Sequence, residues 1–327
     1  MNKQKNREDF APILSLITSS NDVLLCTHLA PDGDALGSML ALGSLVRRMG
    51  KQVTMICHDI VPGYLGFLPG REDILLPAQV EGRQFDLALS IDASDLKRLG
   101  ESAAAFRQAR VCAQMDHHKT NEGFADHNLV LDDLPASGCV VLRMMEAADL
   151  AVTREEAVCL YTAITTDTGN LCFGSVSDET FEQIASLMRA GLPLADTARR
   201  LHLMRDKEHV LMLGCALRSL EFLLDGRLTM MTLTREDYLQ SGADISHTDK
   251  IVNYGLYMPG VEMACLAHEM DDGIKFSLRS IEPRQVSGLA ARFGGGGHAQ
   301  ASGCTVYAPL NEAVRLIREA ALEELSR

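Results

Sequence analysis

DVLLCTHLAPDGDALG, residues 22–37, joins a strand signal to a turn and a helix start. Val23, Leu24 and Leu25 form an apolar, β-prone run that ends at Thr27-His28. Pro31 and Gly33 supply turn chemistry, and a helical apolar pattern follows. The reading predicts a strand over 22–28 and a helix over 35–49 ended by Gly50. One imidazole, His28, and two carboxylates, Asp32 and Asp34, therefore leave the carboxyl end of one strand together. Such a cluster concentrates negative charge and calls for a cation.

The same rhythm continues outward. Strands are predicted at 52–58, 86–92 and 110–116, with helices at 138–149, 153–166, 178–190 and 194–204. Thr153 followed by Glu156 is a capping-box signature for the second of these helices. Alternating strands and helices imply an α/β domain with a doubly wound, mainly parallel sheet, expected over residues 1–205. In such sheets ligands gather outside the carboxyl ends of the strands. Residues 206–225 are expected as a helical linker. After Asp225-Gly226 the pattern alternates in LTMMTL, VEMACLAHE and IKFSLRS, with helices expected at DKIVNYGL, 286–293 and 310–325. Residues 226–327 thus read as a second, smaller α/β domain.

Composition narrows the function. The chain has 327 residues, long enough for two cores, with 46% apolar and 23% charged residues. The net charge of −13 argues against a broad basic surface for long duplex nucleic acid. With no Trp and 5% aromatics, an extended base-stacking platform is not expected. Nine scattered Cys without a CxxC read as reduced, mostly buried thiols. No apolar run reaches membrane-span length, and the polar N-terminus lacks the apolar core of a signal peptide, so a cytoplasmic protein is expected.

Four places offer metal ligands at element ends: His28, Asp32 and Asp34; Asp92; Asp116-His117-His118; and Asp167. Each alone reads as a turn, a cap or a packed histidine. A doubly wound sheet brings all four to one edge, which makes the joint reading stronger. Carboxylates with imidazoles and no Cys pair favour Mn²⁺, with Mg²⁺ the alternative, over structural zinc. The number of acids suggests two ions. Two-metal sites, with ions roughly 3.5–4 Å apart, serve phosphoryl and phosphodiester hydrolysis through an activated, bridging hydroxide. In the second domain, Gly294–Gly297 before His298 permits close backbone approach to an anion, and it lacks the Lys-Ser/Thr ending of a P-loop.

Together these motifs resemble the DHH phosphoesterase superfamily, and Arg279-Ser280 with the Gly run and His298 resembles its DHHA1 domain. The stretch Ile91–Asp95 with Arg98-Leu99-Gly100 is similar to the bacterial oligoribonuclease and pAp phosphatase (nanoRNase) group, where pAp is 3′-phosphoadenosine-5′-phosphate. The resemblance implies His28 and Asp32 on one metal, Asp34, His117 and Asp167 on the other, and Asp92 bridging. It implies Asp116 orienting an imidazole and His118 reaching the scissile phosphate. Arg279, Ser280, Gly295, Gly296, Gly297 and His298 would bind substrate, with Arg98 capping or bracing the site. Short RNA, linear dinucleotides such as pApA, and pAp are the implied substrates, and a homodimer the implied assembly. Two other readings stay open: a pyrophosphatase or polyphosphatase, and a non-catalytic nucleotide sensor.

Overall fold

Consecutive apolar residues of the first strand point to opposite faces of the sheet, and so build a core on each side. The computed structural model describes residues 3–172 and 175–326. The chain divides into two compact units, Met1–Met204 and Arg205–Arg327.

The first unit runs α1 (Lys3–Ser19), β1 (Asp22–Cys26), α2 (Gly33–Arg48), β2 (Gln52–Ile56), β3 (Ile74–Leu75), β4 (Leu87–Ile91), α3 (Ser102–Gln108), β5 (Val111–Asp116) and β6 (His127–Val130). It ends with α4 (Ser137–Ala147), α5 (Arg154–Asp167), α6 (Asp178–Arg189) and α7 (Leu194–Ala198). All six strands are parallel, in the order β3-β2-β1-β4-β5-β6. Val23 and Leu25 of β1 enter the larger core with α1, α2, α4 and α5. Leu24 and Cys26 enter the smaller one with Phe106 of α3. Both faces are covered, as buried parallel strands require. The chain leaves β1 for β2 on one side and returns to β4 on the other. This reversal is a topological switch point, where strand ends splay and open a crevice.

The second unit holds α8 (Lys207–Arg218), β7 (Glu221–Leu223), β8 (Leu228–Leu233), α9 (Arg235–Ser241), β9 (Met263–Met270), β10 (Gly273–Ser280), α10 (Ser287–Arg292), β11 (Gly296–His298), β12 (Ala301–Val306) and α11 (Leu310–Leu325). Its sheet order is β11-β12-β10-β9-β8-β7, mixed in direction because only β8 and β9 pair in parallel. Phe276 and Leu278 face the core under α10 and α11. Ala264 and Leu266 face the one under α8. Among the described residues no helix is long and apolar enough to cross a membrane.

The structure differs from the sequence expectation at several points. The stretch 206–225 is no linker helix: α8 stops at Arg218, β7 follows, and Met212 and Ala216 are buried in the second unit's core. Expected helix 249–256 is a 3₁₀ turn over Ile251–Leu256, entered through left-handed Lys250. Its Gly255 is pressed so closely on Thr229 and Ala264 that an added Cβ would stand 2.6 Å from the Thr229 hydroxyl. Expected helix 194–204 is α7 continued by a π-helical turn, Arg199–Leu203.

Candidate metal centre

β1 ends at Cys26, two residues before His28, so Thr27 and His28 leave the ladder and carry the imidazole past the sheet edge. Asp32 caps α2, its Oδ1 accepting from the amides of Asp34 at 3.0 Å and Ala35 at 3.1 Å. Between them, Leu29 N donates to the Arg98 carbonyl at 2.7 Å, and left-handed Ala30 donates to Asp59 at 2.6 Å. The loop is thereby tied on both sides. Asp92 follows β4 directly and adopts φ +60°, a conformation Asp tolerates better than most side chains. Asp116 closes β5, and His117 and His118 follow it.

These residues converge. His28 Nε2 lies 3.4 Å from Asp92 Oδ2 and 3.8 Å from Asp32 Oδ1. His117 Nε2 lies 3.3 Å from Asp167 Oδ2, 3.6 Å from Asp92 Oδ1 and 3.7 Å from Asp34 Oδ2. Three overlapping groups can each hold a cation: His28, Asp32, Asp92; Asp34, His117, Asp167; and Asp92, His117, His118. Asp92 belongs to two of them and sits between the imidazoles.

The donor set fits divalent ions. His28 Nδ1 lies 2.8 Å from the Leu29 carbonyl and His117 Nδ1 3.2 Å from the Leu134 carbonyl. A carbonyl only accepts, so each Nδ1 carries the proton and each Nε2 turns to the carboxylates. The buried His117 Nε2 has no hydrogen-bond partner. Burial, with Asp92 and Asp32 nearby, lifts Asp167 to about 7. Burial, then Asp92, Asp167 and Asp32, lifts Asp34 well above the carboxylate range. Burial opposes charging His28, yet Asp32 and Asp92 outweigh it and hold the ring near 10. Without a cation, protons neutralise this cluster, so metal and protons compete for it.

Several supporting groups were not anticipated from sequence. Asp34 accepts from the amides of Ser137 at 2.7 Å and Gly138 at 2.9 Å, and from Ser38 Oγ at 2.9 Å. The N-terminus of α4 thus points its free amides at a carboxylate. Ser137 Oγ also donates to Asp92 at 3.0 Å. Small residues opening a helix, as in PASGC, are the sequence trace of that arrangement. Behind His118, whose Nδ1 lies 2.8 Å from Asp116 Oδ1, runs a relay. Asn121 Nδ2 donates to Asp116 Oδ2 at 2.5 Å, while Asn121 Oδ1 accepts from the fully buried Gln114 at 2.6 Å. Burial raises the Asp116 carboxyl, but His118 and Asn121 win and hold it ionised. The bond to Asp116 in turn raises His118.

Arg98 is half-buried on the 3₁₀ turn Leu96–Leu99, and its guanidinium makes no ion pair among the described residues. Arg279, in β10, donates to the Leu278 carbonyl at 3.0 Å and meets no carboxylate at ion-pair distance among the described residues. Burial lowers its affinity for protons, with Asp249 opposing. Ala301 of β12 pairs with Arg279 on one side and with His298 on the other. The side chain of His298 lies outside the described residues. Ser280 is buried, and its hydroxyl donates to the Arg284 carbonyl at 2.9 Å, bracing the turn after β10. The Gly run is also narrower as an anion cradle than expected. Gly294 and Gly295 donate their amides to Ala291 and Ala290 and so end α10, leaving Gly296 and Gly297 in β11.

A family model described as the DHH family N-terminal domain matches residues 22–164, and one described as the DHHA1 domain matches 230–327. This chain carries a DHH domain and a DHHA1 domain. The DHH match covers the parallel sheet and every candidate ligand but Asp167, which lies just past it at the end of α5. The DHHA1 match begins within β8 and takes in the Gly run and Arg279. A Thermus thermophilus protein named bifunctional oligoribonuclease and PAP phosphatase NrnA is 28% identical over 93% of this chain and 90% of its own length. A solved structure titled an exopolyphosphatase-related protein from Bacteroides fragilis is 26% identical, with a TM-score of 0.91 over 97% of this chain and 96% of that one. A Streptococcus mutans protein named probable manganese-dependent inorganic pyrophosphatase is 24% identical over 45% of this chain and 48% of its own length.

Proposed function

We propose that this chain is a divalent-metal-dependent phosphoesterase that hydrolyses short oligoribonucleotides, linear dinucleotides such as pApA, and pAp. The observation that carries the reading is the buried, unpartnered His117 Nε2, which faces Asp34, Asp92 and Asp167 at 3.3–3.7 Å. A lone pair aimed at three carboxylates is tolerable only with positive charge between them. The Thermus relative's likeness across both domains supports the substrate class.

His28 and Asp32 would hold one ion, Asp34, His117 and Asp167 the other, and Asp92 both, with Mn²⁺ favoured over Mg²⁺. Ions held there supply phosphoryl polarisation and lower the pKa of bound water. The chain's own residues do the rest. Asp116 orients His118 and favours its protonated form, with Nε2 available to a phosphate oxygen or to the leaving oxygen. The guanidinium of Arg98, which makes no ion pair among the described residues, binds a phosphate, and so does that of Arg279 in the second unit. Gly296, Gly297 and His298 bind the terminal nucleotide.

The test is turnover of pAp, pApA, a five-nucleotide RNA and pyrophosphate by the full chain with Mn²⁺. Hydrolysis of the first three, abolished by EDTA and restored by Mn²⁺, is expected. Four intact substrates would overturn the reading. Pyrophosphate turnover far above the others would favour a pyrophosphatase instead, a reading that rests on a relative spanning only 45% of this chain.

A further inference from the structure

We propose that Tyr254 and Tyr257 form a nucleobase-stacking site in the second unit, over the sheet face that carries Arg279. The inference rests on the nucleotide reading above and adds where the base goes. Tyr254 is 38% and Tyr257 69% exposed, and their rings stand 5.3 Å apart at 57°. Single exposed tyrosines are ordinary. This pair is unusual in its mounting. Tyr254 stands on the 3₁₀ turn Ile251–Leu256, whose Ile251 and Val252 are buried roots, and Tyr257 directly follows that turn. The Thr229 hydroxyl donates to the Gly255 carbonyl at 3.1 Å, and Gly255 seats directly on Ala264. The tyrosines are therefore held out on a fixed support, which lowers the entropy lost when a ligand stacks.

The second observation is Arg279. It pairs across the ladder with Ala264, the residue beneath Gly255, so guanidinium and tyrosine turn share one face of the sheet. Asp249, at the start of the same segment, acts on Arg279 electrostatically without reaching ion-pair distance. A half-buried guanidinium without a carboxylate partner suits a phosphate. Aromatic rings mounted over the same sheet face suit the base of the same nucleotide. Two rings make a site for one base, not an extended platform. Stacking reads a π-face rather than an edge, so discrimination among bases should be weak and purines favoured by area.

The test measures binding of adenosine 5′-monophosphate and of ribose 5-phosphate to the full chain with Mn²⁺, by calorimetry, so that no turnover is needed. The unaltered protein should bind the nucleotide about tenfold or more tighter than the base-free sugar. In the double variant Tyr254→Leu, Tyr257→Leu that gap should close to within about threefold, with ribose 5-phosphate affinity retained as proof of folding. The double variant to Phe should keep the gap. A gap that survives Leu, is lost with Phe, or is missing in the unaltered protein overturns the inference. If the gap behaves as expected while pAp stays intact, the phosphoesterase reading fails and the base site stands.

Discussion

The two sheets place their candidate functional residues by different devices. In the first unit they hang from the ends of parallel strands, where β1, β4 and β5 all stop at one edge, and α5 delivers Asp167 to it. In the second unit the candidate residues lie within strands, where the backbones of Arg279, Ala301 and His298 pair across β10, β12 and β11 by register. Strand ends gather residues far apart in sequence and concentrate charge. Register spaces residues along a face and leaves them apart. The first device suits ions and the second suits an extended ligand. The difference shows in titration too: carboxylates drive His28 up to about 10, whereas burial, helped by Lys275, drives His268 of β9 down to about 4.

That contrast can be broken first at Asp92. Asp92→Ala removes the carboxylate shared by two ligand groups, and turnover of pAp should fall on the order of 10³-fold. Activity within about tenfold of the unaltered protein would show that the strand ends do not act as one centre. The acid response comes next. Folded His268 titrates near 4 and its unfolded counterpart near 6.5. Between those values the unfolded chain binds more protons. Its contribution is therefore complete above pH 6.5 and is lost as pH falls toward 4, by up to about 3 kcal/mol. Denaturant unfolding of the second unit across that window should flatten in His268→Gln.

Smaller effects follow. Asn121→Leu cuts the relay behind Asp116, and kcat should drop about 10–100-fold while the number of bound Mn²⁺ ions stays the same. A loss of Mn²⁺ binding instead would place Asn121 in the metal cage. At the low end, the Gly run separates packing from binding. A Cβ at Gly295 would strike the Gly303 carbonyl, so Gly295→Ala should cost about 1–3 kcal/mol. Gly296 faces open space, and Gly296→Ala should cost less than about 0.5 kcal/mol, measured by denaturant midpoint.

The same contrast explains what was legible in the sequence. A parallel strand ending in an acid or a histidine announces its place, because such ends share an edge; His28, Asp92 and Asp116 could be read that way. The capping box at Thr153 and Glu156 was legible because it is a local hydrogen-bond pattern, and Thr153 does accept from Glu156 N at 3.2 Å. β12 was missed because Ala301–Val306, with Gly303 inside, shows no apolar alternation strong enough to see, and β3 has only two residues. Ser137 and Asn121 were missed because their partners, Asp34 and Asp116, depend on how elements pack and on side-chain orientation. The commitment of Ser280 to the Arg284 carbonyl depends on a turn that periodicity does not describe.

The contact between α5 and its neighbours acts as a gauge block. An added Cβ at Gly37 would strike the Cys159 carbonyl, and one at Gly138 would stand 2.5 Å from Ala163 Cβ. At these two glycines α2 and α4 close directly onto the α5 backbone and the Ala163 methyl. Helix spacing is therefore fixed by covalent dimensions rather than by rotamers. Asp34 on α2 and Asp167 at the end of α5 inherit that tolerance, and so would the calibre of any ion held between them.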